Sequence, residues 1–87
     1  MVQETVTIIN PTGLHMRPAG LFASTMGKFK SNVTIKGNDK EINGKSPMAI
    51  MAGGLSCGTE ITIVCDGEDE ADALQTAVDL VKSGLGE

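Results

Sequence analysis

The chain has 87 residues, seven Lys and Arg against eleven Asp and Glu, and a formal charge of −4. That length fits one small domain, residues 1–87, and leaves no room for a separate substrate or dinucleotide-binding domain. Two Phe, no Tyr and no Trp offer little base-stacking surface. The acidic balance is also wrong for gripping a phosphate backbone, so nucleic acid is excluded as a partner.

An apolar fraction of 40% is ordinary for a globular chain. No apolar run approaches the length of about 20 residues that spans a bilayer, so membrane insertion is not expected. The first residues, Met1-Val2-Gln3-Glu4-Thr5, lack the basic start and apolar centre of a signal peptide, which predicts a cytoplasmic protein. Two cysteines make no disulfide framework there. They do not stand at metal spacing either, and the single His completes no zinc set. Cys57 is expected in a loop and Cys65 in a strand, with no cofactor or metal.

Residues 2–9 are rich in β-branched side chains and predict a strand, broken by the turn chemistry of Asn10-Pro11-Thr12-Gly13. Met16, Ala19, Phe22, Ala23 and Met26 recur at spacings of three and four, the apolar stripe of a helix. Pro18 falls in its first turn, where a missing N–H is harmless, and Gly27 is its stop. Residues 33–36 and 40–43 predict a hairpin around Gly37-Asn38-Asp39. Ser46 and Pro47 form an N-cap and first-turn pair for a short helix through Ala52. The tandem Gly53-Gly54 predicts a loose end to it. Residues 60–65 form the last strand, with Ile61, Ile63 and Cys65 on one face. The acidic run Asp66-Gly67-Glu68-Asp69-Glu70 opens a final helix at the positive end of its dipole. Ala71, Leu74, Ala77, Val78, Val81 and Leu85 are its expected buried stripe, with Gly84 at the C-cap.

The order is β-α-β-β-α-β-α. The hairpin implies antiparallel pairing, and amphipathic helices can bury their stripes on one sheet face. The predicted fold is α+β: an open-faced β-sandwich, a four-stranded antiparallel sheet with three helices on one face. Thr5, Thr7, Thr34, Lys36 and Thr62 are expected on the other face.

His15, the sole histidine, stands where loop becomes helix. A helix start presents unpaired N–H groups and partial positive charge, a ready site for an anion. Arg17 can give a forked cationic donor to phosphate oxygens. An imidazole is also a competent nucleophile near neutral pH. Gly13-Leu14-His15-Met16-Arg17-Pro18-Ala19 thus has the parts of a phosphoryl acceptor. A histidine at a helix start is more often a plain polar surface residue or a cap, and residue chemistry by itself favours that reading.

Thr12-Gly13-Leu14-His15-Met16-Arg17-Pro18-Ala19 closely resembles the active-site signature of the HPr family. These are the histidine-containing phosphocarriers of the bacterial phosphoenolpyruvate-dependent sugar phosphotransferase system. Asn43-Gly44-Lys45-Ser46, followed by Met48 and Met51, resembles the family's regulatory-serine segment, and length and element order agree. The resemblance implies that His15 takes a phosphoryl group on Nδ1 from phospho-enzyme I and passes it to enzyme IIA domains. It implies that Arg17, with the backbone N–H groups of Met16 and Arg17, holds the phosphate oxygens. It implies phosphorylation of Ser46 by an HPr kinase/phosphorylase, with a catabolite-control transcription regulator as a further partner. Met48 and Met51 would be exposed docking residues, a soft surface suited to several partners.

Lys28, Lys30 and Lys45 are expected as solvated charges. Such a protein is a stoichiometric carrier rather than an enzyme, and a monomer is expected because the site must stay accessible. Two positions depart from the family pattern: Met16 stands where a small or hydroxylated residue is usual, and Pro47 replaces an aliphatic residue. The competing reading is a purely regulatory interaction protein signalling through Ser46. Relatives of that kind have lost the histidine that His15 retains. A stand-alone enzyme lacks support, with no second His and no acid–base pair beside His15.

Overall fold

Seven elements follow one another: β1 (Val2–Thr7), α1 (Met16–Met26), β2 (Asn32–Gly37), β3 (Lys40–Asn43), α2 (Pro47–Ala52), β4 (Glu60–Asp66) and α3 (Glu70–Lys82). They are seen in a computed structural model that describes residues 1–11 and 13–85. Thr12, within the predicted turn and the His15 signature, lies outside the described residues, as do residues 86 and 87.

The four strands form one antiparallel sheet in the order β1-β4-β2-β3. Alternation places Ile61, Ile63 and Cys65 of β4 in the core, opposite Val6 of β1 and beside Val33 and Ile35 of β2. α1 supplies Pro18, Ala19, Phe22, Ala23 and Met26 to that core. Phe22 is the largest side chain fully enclosed there. α2 packs on α1 and β3, and α3 on β1 and β4. On the open face Thr5 and Thr62 are cross-strand partners, with hydroxyl oxygens 2.9 Å apart. Lys36 meets Glu41 across β2 and β3 at 3.7 Å. The fold is the open-faced sandwich that the element order predicts.

Several details differ. Met16, placed in the buried stripe by its spacing, is 71% exposed. It is the first residue of α1, and the helix meets the core only from Pro18 onward. β1 ends at Thr7 rather than at residue 9, with Ile8 buried and Ile9 exposed. Along α3 Ala77, Val78 and Val81 are buried as predicted, as is Leu85 beyond it, but in the first turn Ala73 is buried and Ala71 exposed, with Leu74 half-buried. Ala73, Ala77 and Val81 repeat every four residues, and a straight helix turns that row toward the sheet. Ser83 is the C-cap of α3, and Gly84, at φ +85°, stands just beyond it in the left-handed conformation that ends many helices. Gly37 belongs to β2, so the hairpin turn is Asn38-Asp39. Both have positive φ, 51° and 61°, the twist a two-residue hairpin turn demands.

The end of α2 is not loose. Gly53 is buried, and a Cβ there would collide with Ile42 Cδ1. The Asn38 carboxamide donates to the carbonyls of Gly53 and Gly54 at 3.3 and 3.0 Å. No helix among the described residues is long and apolar enough to cross a membrane.

Candidate functional site

The loop that delivers His15 has an unusual conformation for a sequence reason. Gly13 adopts φ +70°, where a side chain is strained, and lies against the backbone of Leu55 and Ser56. Its N–H bonds the Asn10 carbonyl at 3.0 Å, and the Asn10 carboxamide donates back to the Gly13 carbonyl. The Leu14 side chain is buried and its N–H bonds the Leu55 carbonyl at 2.8 Å. Buried on one side of this loop, the chain emerges at His15.

His15 is the N-cap residue of α1, with extended backbone (φ −85°, ψ −164°) and a side chain that does not cap the helix. Its carbonyl accepts the first helical bond, from Ala19 N–H at 2.9 Å. The N–H groups of Met16 and Arg17 precede that ladder, and Pro18 has none to offer. His15, Met16 and Arg17 are all exposed. The first turn of α1 carries no acidic residue. Nor does any Asp or Glu occur between residues 5 and 38 or between 42 and 59. An anion joined to His15 would therefore meet helix-start amides and a guanidinium, with no carboxylate supplied by the neighbouring chain.

Ser46 is the N-cap of α2, with its hydroxyl accepting from Ala49 N–H at 3.2 Å and Pro47 in the first turn. It is half-buried. The helices that start at His15 and Ser46 pack on each other, but α2 begins beside Phe29, past the far end of α1, and it is the segment after α2 that meets the His15 loop. Met48 is 75% exposed, as a docking residue must be. Met51 is half-buried and leans on the core, because Ile50 beside it is fully enclosed and fixes the helix rotation. Lys45 is not a plain solvated charge: it is half-buried, and its ammonium donates to the Phe29 carbonyl at 2.7 Å. Cys57 is exposed in its loop and Cys65 buried in β4, where burial raises the thiol's pKa.

Two features escaped sequence reasoning. The contact of residues 13 and 14 with residues 55 and 56 leaves no local pattern. Only the positive φ of Gly13 reflects it, and glycine spacing alone does not announce a φ. The Asn38 bonds to the end of α2 were likewise hidden behind an ordinary turn motif.

A model of the family described as "PTS HPr component phosphorylation site" matches residues 2–83. The chain is 40% identical to the phosphocarrier protein HPr of Neisseria meningitidis, over 100% of this chain and 98% of that protein. The crystal structure of HPr-C-His from Thermoanaerobacter tengcongensis superposes with a TM-score of 0.95 at 42% identity, covering 100% and 98% of the two chains. Crh, the catabolite repression containing protein of Bacillus subtilis, is described as a dimer with a swapped domain. It matches with a TM-score of 0.77 at 39% identity, covering 97% of each chain. With the signature residues gathered at an exposed helix start on the same fold, the chain belongs to the HPr family of phosphotransferase-system phosphocarriers, proteins that carry a phosphoryl group and are not themselves enzymes.

Proposed function

We propose that this chain, acting in the cytoplasm as a single domain, accepts a phosphoryl group from phospho-enzyme I on His15. It then yields the group to enzyme IIA domains that serve sugar uptake. The observation that carries this reading is an exposed histidine at the N-cap of a helix whose first turn is free of acid, with Arg17 two residues on. In the transfer, an unprotonated Nδ1 of His15 attacks phosphorus. The bond from phosphorus to the enzyme I donor breaks as the bond to Nδ1 forms, and Nε2 keeps its proton. The N–H groups of Met16 and Arg17 and the Arg17 guanidinium receive the phosphate oxygens. The same step in reverse delivers the group to enzyme IIA. An exposed site suits this exchange, because two different partners must reach the same atom and each supplies the rest of the transition-state stabilisation.

Docking falls to Met48, with a smaller share for Met51 in view of its burial. Ser46 is the regulatory position, phosphorylated by an HPr kinase/phosphorylase and then read by a catabolite-control transcription regulator. The likeness to Crh supports a regulatory role through Ser46 as the second reading, and His15 favours the carrier. A reconstituted chain of phosphoenolpyruvate, enzyme I, this protein and an enzyme IIA domain tests the proposal. Arg17→Ala is expected to slow delivery by about 100-fold, as loss of a charge-assisted phosphate contact does. Met48→Ala is expected to raise the KM for enzyme I with the melting temperature unchanged. A wild-type protein that neither takes up nor delivers a phosphoryl group would favour the regulatory reading.

A further inference from the structure

The backbone before His15 is held by a segment far from it in the chain. Leu14 N–H bonds the Leu55 carbonyl at 2.8 Å. Ile8 N–H bonds the Thr59 carbonyl at 3.0 Å, and Gly58 N–H bonds the Ile8 carbonyl at 2.8 Å. Between these bonds Gly13 presses on the same segment, where a Cβ would stand 2.6 Å from the Leu55 oxygen and 2.8 Å from Ser56 Cα. The Leu55 side chain is 3% exposed, so the segment is itself anchored in the core. Its other end continues from α2 through Gly53 and Gly54, whose carbonyls Asn38 holds.

We propose that residues 55–59 are the positioning element for phosphoryl acceptance, with the Leu55 carbonyl and its fit against Gly13 fixing the backbone one residue before His15. The inference rests on the carrier reading above. The bond to Leu55 fixes the Gly13–Leu14 peptide plane, and with it the backbone that leads into His15 and sets where the imidazole can reach. In-line transfer tolerates little error: a displacement of about 1 Å costs roughly 100-fold. A methyl group at Gly13 collides with backbone atoms, which yield only if the His15 loop and the 55–59 segment move apart. Gly54 is the matched control. Its φ is +66° against +70° at Gly13, so alanine suffers similar backbone strain, yet a Cβ there meets nothing within 4 Å.

The test measures phosphorylation by enzyme I and phosphoenolpyruvate with the protein as varied substrate. Gly13→Ala is expected to lower kcat by about tenfold or more with KM within about twofold, and Gly54→Ala to leave both within about twofold. Equal losses in the two variants, or none in Gly13→Ala, overturn the positioning role. If Gly13→Ala fails to fold, Leu55→Ala is compared with Val81→Ala, a cavity in the core side of α3. Loss of kcat in the first alone, restored by Leu55→Met, supports the proposal, and equal loss in both overturns it. A wild-type protein that takes up no phosphoryl group counts against the carrier reading. A phosphorylated wild type beside an unimpaired Gly13→Ala counts against the positioning role alone.

Discussion

Asp69 stands at the N-cap of α3 without capping it. Its carboxylate instead receives the Lys30 and Ser31 N–H groups at 2.8 and 2.9 Å, and the Ser31 hydroxyl. The Ser31 hydroxyl first, and then the Lys30 amide, favour the charged form and hold its pKa at about 2, below the ordinary 3.8. A depressed carboxyl contributes stability fully above its unfolded pKa and loses it as pH falls toward the folded one. The melting-temperature gap between wild type and Asp69→Ala is therefore expected to be constant above pH 5 and to shrink between about pH 4 and 2. A gap independent of pH would contradict it. Ser46 offers a second test at this scale. Ser46→Ala removes the bond to Ala49 N–H and is expected to cost about 1 kcal/mol in urea denaturation. The Ser46 cap was legible in the sequence because cap, proline and helix are contiguous. The Asp69 bonds were not, because their partners are 38 and 39 residues away.

A six-residue helix does not hold itself together in water, so α2 depends on its two ends. Ser46 secures the first and Asn38 the second, with Gly53 seated on Ile42. Asn38→Gly keeps the positive φ of the turn and removes both side-chain bonds, an expected loss of about 1–2 kcal/mol. Asn38→Ala adds strain at that φ and is expected to lose about 1 kcal/mol more, again read from urea denaturation. Equal stability of Asn38→Gly and wild type would show that packing on Ile42 holds the helix end unaided. Each helix and strand could be read from its own residues, since capping and periodicity are local. Which of Ala71 and Ala73 is buried in the first turn of α3 could not, because the two are equally apolar. Only the sheet's position decides between them.

Across the molecule the charges are segregated. Along the chain the carboxylates fall at Glu4, Asp39, Glu41, Glu60 and from Asp66 onward, while residues 5–38 and 42–59 carry only cations. Beside the −4 of the whole chain, the charge nearest His15 in the chain is the cation Arg17. Docking of acidic partners there is expected to be salt-sensitive. The association rate with enzyme I should fall about tenfold between roughly 0.05 and 0.5 M salt. A salt-independent rate would assign docking to Met48 and its apolar surroundings alone. A monomer in sedimentation is the accompanying expectation, and a swapped dimer like that described for Crh would contradict it. The carrier function rests on where the phosphoryl group goes. After incubation with phosphoenolpyruvate and enzyme I, intact-mass and peptide analysis should show one acid-labile phosphoryl group, mapped to His15 and absent from His15→Ala. A protein that gains none, or one phosphorylated equally well in His15→Ala, would contradict it.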